Sequence, residues 1–353
     1  MTQDASLIQG LHHITLVTSN QEVNRRFYTE VLGLRRVKLS VNQDDVYHRH
    51  LFYADDPAKG NAITFFEWPD LPRGIIGLGS PHHLSYEVSS VDRLSKWRGW
   101  LAHNHVPSEG LYSRDGRVSL YMRDPDGVTI EIAARNEEGA SQDYLSELKA
   151  PVVRELSADM KLSSFNHASP VTRDPEAISR FMGKALGLNA TPLTPNPDEK
   201  GSSILGIGNT DRTDFLRYLA GKDAPRGYVG IGNIHHIAMA VESDEEQLKV
   251  LRTLDRIGIG NSGIIDRFWF HSLYFRDPDG NLLEVATKNP GYTVDEPKAT
   301  LGSKLVLPSW LEPRRSEIQG VLDAADKANP VAWPPSEYPS VPRPPEKLSV
   351  EIA

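Results

Sequence analysis

The sequence predicts an α+β fold in which four βαβββ modules form two duplicated domains with curved, mixed β-sheets. The first observation behind this prediction is an internal repeat. The segment PRGIIGLGSPHH at 72–83 recurs as PRGYVGIGNIHH at 225–236, and LYMRDPDGVTIEI at 120–132 recurs as LYFRDPDGNLLEV at 273–285. A constant offset of 153 residues relates both pairs of segments, so the chain contains a duplicated unit of about half its length.

The second observation is that each repeat carries a histidine and a glutamate at the same spacing. His83 and Glu131 are 48 positions apart, as are His236 and Glu284. Each residue lies in a short apolar run that is typical of a strand. A histidine and a carboxylate on neighbouring strands can each give one ligand to a metal ion.

The first module reads β-α-β-β-β. Residues 10–19 (GLHHITLVTS) predict a strand that opens with paired histidines, and residues 21–32 predict an amphipathic helix with Gly33 just past its end. Three further strands are predicted, at 34–41, 46–54 and 62–68. Glu67 lies in the last of these strands, much as Glu284 does in its own.

The other three modules repeat this order. The second opens at His82 and His83 and contains a predicted helix near 91–103. The third opens around His167, and its final strand near 214–219 has no aligned glutamate. The fourth is the repeat that ends at Glu284. The two Asp-Pro-Asp-Gly segments predict tight structural turns despite their acidity.

These patterns predict the following division of the chain: an N-terminal domain of modules 1 and 2 at 8–135, a linker at 136–163, a C-terminal domain of modules 3 and 4 at 164–290, and a C-terminal helix with a proline-rich tail at 291–353. Seven prolines follow Asn329, too many for a packed element. We expect this tail to wrap the surface or to be disordered.

The composition excludes several classes of protein and of site. The net charge of −8, without a basic run, argues against nucleic acid as a partner. No apolar run is long enough for a membrane span, and Met1–Gly10 is too short and polar for a signal peptide, so we expect a cytoplasmic protein. Because the chain has no cysteine, a metal would have to be held by imidazole and carboxylate.

Histidines and glutamates that open and close the modules are the candidate ligands: His13, His83, His167, His236, Glu67, Glu131 and Glu284. Two histidines and one carboxylate leave positions free for oxygen and substrate, as non-haem iron(II) oxygenases require, although manganese or zinc would accept the same ligands. Isolated strand histidines are usually structural, and we assign four others to that class: His48, His50, His103 and His105. The glycine-rich PRG segments lack a Gly-Lys-Ser/Thr ending and precede strands, so they predict module connectors rather than phosphate loops.

Paired βαβββ modules with an opening histidine and a closing glutamate resemble the vicinal oxygen chelate superfamily, which includes glyoxalase I, fosfomycin-resistance thiol transferases and type I extradiol dioxygenases. Within it, several segments are most similar to hydroquinone-type ring-cleaving dioxygenases: the LHHIT opening, the PRG connectors, DRFWFHSLYFRDPDG and KLVLPSWLEPRR. The resemblance covers roughly residues 8–318.

This resemblance implies iron(II) held by His13, His236 and Glu284, with the first ligand coming from module 1. It also implies roles in supporting the ligands or contacting the substrate for five residues: His12, Thr15, His235, Arg267 and Tyr274. Aromatic side chains that would suit a flat ring follow the same segments: Phe66, Trp68, Phe268, Trp269 and Phe270.

The repeats qualify two of these assignments. Tyr274 has a repeat partner in Tyr121, which weakens the case for a unique role. Arg267 is matched with Asp115, which makes that arginine the more distinctive of the two.

Two features leave alternatives open for the metal. Glu67 could join as a fourth protein ligand, which would resemble the two-histidine, two-glutamate site of glyoxalase I. His83, Glu131 and His167 could form a second site between modules 2 and 3, either occupied or vestigial. We favour the vestigial interpretation, because module 3 lacks the glutamate.

The predicted function is an extradiol-type, iron(II)-dependent dioxygenase that opens a hydroquinone or catechol ring with O2. A glyoxalase-like isomerase or lyase is the alternative, and a binding protein without activity is the least favoured. The expected partners are a small aromatic substrate and O2. The sequence leaves open whether the chain forms a homo-oligomer.

Overall fold

The structure, a computed structural model, describes residues 6–55, 61–162, 164–209 and 214–348. It confirms the α+β class and the four modules. Three predictions extend outside the described residues. They are the absence of a signal peptide, which concerns residues 1–5, the linker, which includes Ser163, and the proline-rich tail, which includes residues 349–353. Within the described part of the chain, no helix has the length and apolar character that a membrane crossing requires.

The secondary structure follows the predicted order. The strands are β1 Leu11–Thr18, β2 Arg35–Asn42, β3 Asp45–Ala54, β4 Ala62–Glu67, β5 His83–Glu87, β6 Ser108–Arg114, β7 Arg117–Arg123, β8 Thr129–Arg135, β9 Phe165–Ser169, β10 Val171–Thr172, β11 Asn189–Ala190, β12 Thr194–Pro195, β13 Ser203–Gly208, β14 Leu216–Ala220, β15 Ile234–Val241, β16 Asn261–Asp266, β17 Phe270–Arg276 and β18 Leu282–Pro290. The α-helices are α1 Gln21–Arg26, α2 Val91–His103, α3 Gln142–Glu147, α4 Pro175–Leu186, α5 Asp244–Arg256 and α6 Arg315–Ala328.

The modules pair across the chain rather than along it. One sheet has the strand order β16-β17-β18-β15-β1-β4-β3-β2 and so joins module 4 to module 1; the other has the order β11-β13-β14-β9-β5-β8-β7-β6 and joins module 3 to module 2. This arrangement differs from the predicted grouping into an N-terminal domain of modules 1 and 2 and a C-terminal domain of modules 3 and 4. The reason is that the opening strands find antiparallel partners in distant modules, β1 with β15 and β5 with β9.

Both faces of the opening strands are buried. In β1, Ile14 and Leu16 belong to the main hydrophobic core, whereas His13 and Thr15 alternate with them and face the concave side of the sheet. The helix after β1 begins where the Asn20 side chain accepts backbone N–H groups. It continues into a π-helical turn and ends before Gly33, whose φ of 70° fits the predicted C-cap.

The connectors and turns join the two sheets, as predicted for structural elements. The two PRG connectors pair with each other, for example between Ile75 and Tyr228. In the Asp-Pro-Asp-Gly turn of module 2, Asp126 accepts hydrogen bonds from the Thr18 and Ser19 side chains at the end of β1. In the turn of module 4, Asp277 accepts one from the Tyr218 hydroxyl at 2.9 Å.

The C-terminal region crosses both sheets. Helix α6 packs Ile318 and Leu322 against Val41 of β2. The proline-rich segment after it then reaches the other sheet, where Leu348 packs against residues of module 3. The tail therefore wraps the surface over most of its described length, which is one of the two alternatives expected from its composition, and becomes buried at Glu346 and Leu348.

One connector glycine tests how tightly the sheets are joined. Gly232 has a φ of 83°, and a Cβ built on it would lie 2.2 Å from the Asp126 carbonyl oxygen. We expect Gly232→Ala to lower the free energy of unfolding by about 1–3 kcal/mol, through backbone strain and overpacking.

The matched control is Gly320→Ala on helix α6, where a Cβ would meet nothing within 4 Å. This substitution should raise the free energy of unfolding by about 0.5–1 kcal/mol, because alanine favours the helix. Urea denaturation measures both, and equal effects would contradict the close contact at Gly232.

Candidate metal centre

Three side chains converge on one point on the concave face of the sheet formed by modules 1 and 4. We call His13, His236 and Glu284 the first triad. They come from β1, β15 and β18, and the register that sets Thr15 opposite His236 and Ala238 opposite Glu284 brings them together. Nε2 of His13 lies 3.2 Å from Oε2 of Glu284, and Nε2 of His236 lies 3.0 Å from the same oxygen. The two Nε2 atoms are 3.2 Å apart.

The first triad fits a divalent metal ion. Oε2 of Glu284 is buried without a hydrogen-bond partner, while Oε1 accepts a hydrogen bond from Ser272 at 2.6 Å. Burial raises the pKa of Glu284, but His13 and His236 lower it more, so that it lies well below its usual value. Burial also lowers the pKa of His236. A charged carboxylate and a neutral imidazole are the protonation states that metal ligands need.

The neighbouring histidines hold the ligand histidines in place. Nδ1 of His12 lies 2.8 Å from Nδ1 of His13, and His235 has the same contact with His236. Burial lowers the pKa of both His12 and His235 to about 3, so both are neutral and can accept an N–H from the ligand. This contact leaves the Nε2 lone pair of each ligand for the metal.

A cavity with about 380 Å³ of empty space, including its opening to solvent, lies beside the first triad. It is lined by His13, His236, Asn42, Gln43, Asp44, His50, Phe52, Phe66, Arg267, Trp269, Phe270 and Tyr274. Two of the five residues predicted to support the ligands or contact the substrate, Arg267 and Tyr274, are therefore in the wall. His12, His235 and Thr15 stand behind it.

His50 lines the cavity, although the sequence analysis assigned it to the structural histidines. Its ring lies in the cavity wall, with centroids 4.0 Å from Phe52 and 4.4 Å from Phe66. A chain of hydroxyl groups links it to the predicted Thr15: Nε2 of His50 lies 2.9 Å from Oγ1 of Thr64, which lies 2.8 Å from Oγ1 of Thr15. The alternation of side chains along the strand indicated where His50 lies. Leu51 faces the core, so its neighbour His50 lies on the opposite face.

Arg267 is held at the edge of the cavity. Asp44 accepts hydrogen bonds from both of its terminal nitrogens, at 3.0 and 2.8 Å, and the guanidinium lies 5.5 Å from the Tyr274 ring centroid. Its Nε is buried without a partner. The match of Arg267 with Asp115 was wrong: an offset of 153 places Arg114 there, and Arg114 lies over the Tyr121 ring in the same way, at 5.3 Å.

Glu67 has a different role from the one considered for it. Its carboxylate accepts hydrogen bonds from Arg49 and from the backbone N–H of Gln21, both at 2.9 Å, and so it holds the start of helix α1. The position in module 1 that corresponds to Glu284 is Thr64, as the strand register shows. Glu67 is not among the residues whose ligand atoms converge with the first triad.

A second set of three residues converges in the other sheet. We call His83, Glu131 and His167 the second triad; Oε2 of Glu131 lies 3.7 Å from Nε2 of His83 and 3.2 Å from Nε2 of His167. Within the residues described, these are the two groups of three or more side chains suited to hold a metal ion.

In a comparison with known proteins, the chain matches the family model of the Glyoxalase/Bleomycin resistance protein/Dioxygenase superfamily in two regions, residues 10–132 and 164–285. The chain is 33% identical to a Bacillus subtilis protein named "Putative ring-cleaving dioxygenase MhqA", over 89% of this chain and 98% of that protein. It is 27% identical to the chlorohydroquinone/hydroquinone 1,2-dioxygenase of Sphingobium indicum, over 90% of this chain and 97% of that protein.

Solved structures agree with the fold. The crystal structure of a "putative dioxygenase" from Bacillus subtilis superimposes with a TM-score of 0.74 at 30% identity, covering 90% of this chain and 97% of that one. Glyoxalase I from Zea mays superimposes with a TM-score of 0.58 at 16% identity, covering 79% of this chain and 92% of that one. The maize enzyme shares the fold alone.

Two glutamates separate the competing ligand sets. In a chain that also carries Glu131→Gln, so that the second triad does not contribute, we expect Glu284→Gln to weaken metal binding by more than about 100-fold. Glu67→Gln should leave the metal affinity within about twofold, since the effect of its lost ion pair with Arg49 is on stability. Competition with a chromogenic chelator measures both affinities. A loss of affinity in Glu67→Gln as large as that in Glu284→Gln would restore the four-ligand alternative.

Proposed function

The chain belongs to the Glyoxalase/Bleomycin resistance protein/Dioxygenase superfamily, and we propose that it is a dioxygenase that opens a hydroquinone- or catechol-type ring with O2. The observation that carries this proposal is the first triad beside a cavity walled by aromatic side chains. The names of relatives that match nearly the whole chain support it: two are named putative ring-cleaving dioxygenases and one a chlorohydroquinone/hydroquinone 1,2-dioxygenase.

We further propose ferrous iron as the metal of the first triad. Two imidazoles and one carboxylate form the donor set that non-haem iron(II) oxygenases favour, although manganese and zinc accept the same donors. Iron bound there would supply coordination for a deprotonated substrate oxygen and for O2, and a route for electrons between them. His12 and His235 would keep the two imidazoles in the tautomer that this binding needs.

The cavity walls would orient the ring. Phe52, Phe66, Trp269 and Phe270 present apolar aromatic surface, and offset or edge contacts with such rings favour a flat aromatic guest. With a substrate ring bound, these walls would exclude water from the space beside the triad, which would strengthen the electrostatic contacts of the polar groups there.

Two donors would bind a substrate oxygen as it becomes anionic. Burial raises the pKa of Tyr274, so its hydroxyl remains protonated and available to donate. Arg267 offers its unpartnered Nε, and Asp44 fixes the orientation of the guanidinium. Both groups are in position before substrate binds, so little reorganisation is needed.

His50 would take the proton from the substrate hydroxyl. Burial and the nearby His13 and His236 lower its pKa well below the usual value, so that its ring is neutral at physiological pH and has one nitrogen lone pair available. Thr64 holds Nε2, and we assign proton transfer to Nδ1. No observation favours the isomerase or lyase alternative, since Glu67 is engaged by Arg49 and helix α1.

The direct test is oxygen uptake. Protein loaded anaerobically with iron(II) should consume O2 when hydroquinone or catechol is added, and Glu284→Gln should abolish this consumption. Glu131→Gln, the same change at the repeat position, should retain it. Tight binding of zinc or nickel, with no O2 consumed on either ring, would overturn the proposal.

His50→Gln should lower kcat by about 100-fold with unchanged iron content, because a positioned base contributes about 10²–10⁴-fold. Its remaining activity should rise with pH more steeply than that of the unmodified enzyme, because the variant depends on substrate ionised in solution. Unchanged kcat and an unchanged pH profile would remove His50 from the reaction and leave it a wall residue.

A further inference from the structure

The proline-rich tail reaches the second triad at Glu346. This residue is fully buried, although the composition of the segment predicts a tail that wraps the surface or is disordered. Its carboxylate accepts two hydrogen bonds from Arg217, at 2.8 and 2.9 Å, and one from the Tyr121 hydroxyl at 2.7 Å. Oε1 of Glu346 lies 3.6 Å from Nε2 of His83. The tail thus brings a second carboxylate to the point where the second triad converges.

The backbone around Glu346 is also bound by the rest of the chain. Its N–H donates to Asp198 at 2.8 Å, and its carbonyl accepts from the Asn196 side chain at 3.1 Å. The N–H of Leu348 donates to Glu199 at 3.1 Å, and the His82 ring hydrogen-bonds the backbone of Lys347. These contacts fix the backbone of residues 346–348 inside the protein, next to the second triad.

Each sheet has one module with the ligand glutamate and one without it, and the two sheets differ in the residue that replaces it. In module 1 the residue at the position that corresponds to Glu284 is the small Thr64, beside the open cavity. In module 3 the residue at the corresponding position is Arg217. The register shows this because Leu216 pairs with Ala168, and Arg217 is the next residue along the strand. Tyr121 and Arg114 repeat Tyr274 and Arg267, but in the second site they contact Glu346. The tail carboxylate therefore occupies the space that corresponds to the cavity.

The three ligand atoms of the second triad have the spacing of a metal shell. Nε2 of His83 and Nε2 of His167 are 3.4 Å apart, and Oε2 of Glu131 lies 3.7 and 3.2 Å from them. Oε1 of Glu346 lies beside this group, 3.6 Å from Nε2 of His83. Ligands about 2.1 Å from a tetrahedral metal lie about 3.4 Å from one another. Oε2 of Glu131 is buried without a hydrogen-bond partner. Ser169 Oγ lies 3.2 Å from Nε2 of His83, and a hydroxyl can rotate its hydrogen away when that lone pair is used.

The charge balance of this buried cluster favours a cation. Arg114 and Arg217 contribute two positive charges. Three carboxylates face them inside the cluster, those of Asp198, Glu131 and Glu346, and the exposed Asp115 pairs with Arg217 from the solvent side. Arg117, beside His167, is paired with Asp214 and adds no net charge. The cluster therefore carries one uncompensated negative charge away from water, and a bound cation would offset it.

We propose that the second triad binds a divalent metal ion of the zinc, manganese or ferrous class, with the Glu346 carboxylate beside His83 closing the site. The shell is closed by the chain itself, since the carboxylate of the tail fills the place that would be needed for substrate. This ion is structural: it fastens the C-terminal tail to the sheet of modules 2 and 3. The proposal does not depend on the reaction at the first triad.

The first test is metal stoichiometry on the full chain loaded with zinc and then dialysed. The unmodified protein should hold two ions per chain, and Glu131→Gln and Glu284→Gln should each hold one. Glu346→Gln should weaken the second ion by about tenfold or more while the first remains. One ion per chain in the unmodified protein, or two in Glu131→Gln, would overturn the proposal.

The second test reads the tail directly. Hydrogen exchange at the amides of Glu346 and Leu348 should slow by about tenfold when free zinc exceeds its dissociation constant by that factor, because the ion stabilises the docked tail. Glu284→Gln should keep this response, and Glu131→Gln should lose it. Exchange at these amides that is equal with and without zinc, in a chain that holds two ions, would show that the metal does not fasten the tail.

Discussion

The register between three strands determines where everything else in the first site lies. Strand β1 pairs antiparallel with β15, and β15 pairs parallel with β18, so residues from opposite ends of the chain meet on one concave face. A shift of one residue in either pairing would turn a ligand toward the hydrophobic core, because side chains alternate along a strand. The buried Ile14 and Leu16 oppose such a shift, since it would expose them to the polar site. The apolar side of the sheet therefore stabilises the geometry of the polar side.

Duplication made part of this architecture readable from the sequence alone. The repeated His–Glu spacing predicted the ligand-bearing strands, because equal spacing in two copies implies equal position in a fold. The pairing of module 1 with module 4 depends on contacts more than 200 residues apart, and no local pattern contains them. The module pattern made His13 one of several candidate ligands, and only the resemblance grouped it with His236 and Glu284. His50 was assigned to the structural histidines because isolated strand histidines usually are structural, although its alternation with the apolar Leu51 indicated the opposite face of the strand. Glu346 was missed because a segment rich in proline has no period from which burial can be predicted.

The two sheets show how copies of one module diverge around a shared framework. Each keeps two histidines, a glutamate, a tyrosine and an arginine in matching places. In the sheet of modules 1 and 4, the module without the glutamate has the small Thr64 at that position, and a space is left. In the sheet of modules 2 and 3, Arg217 has the corresponding position, and the tail fills the space. A single exchange of a small residue for a cation therefore separates an open site from a closed one, without any change in the strands that carry the ligands.

The order of modules in the chain is nested: modules 2 and 3, which form one sheet, lie in the sequence between modules 1 and 4, which form the other sheet. During synthesis the inner sheet can assemble as soon as residue 220 has left the ribosome, whereas His13 waits through 271 further positions until Glu284 appears. Glu346 emerges later still. A nascent chain stalled before β18 would thus present two histidines without their carboxylate, so the first triad could bind a metal ion only after β18 had been synthesised.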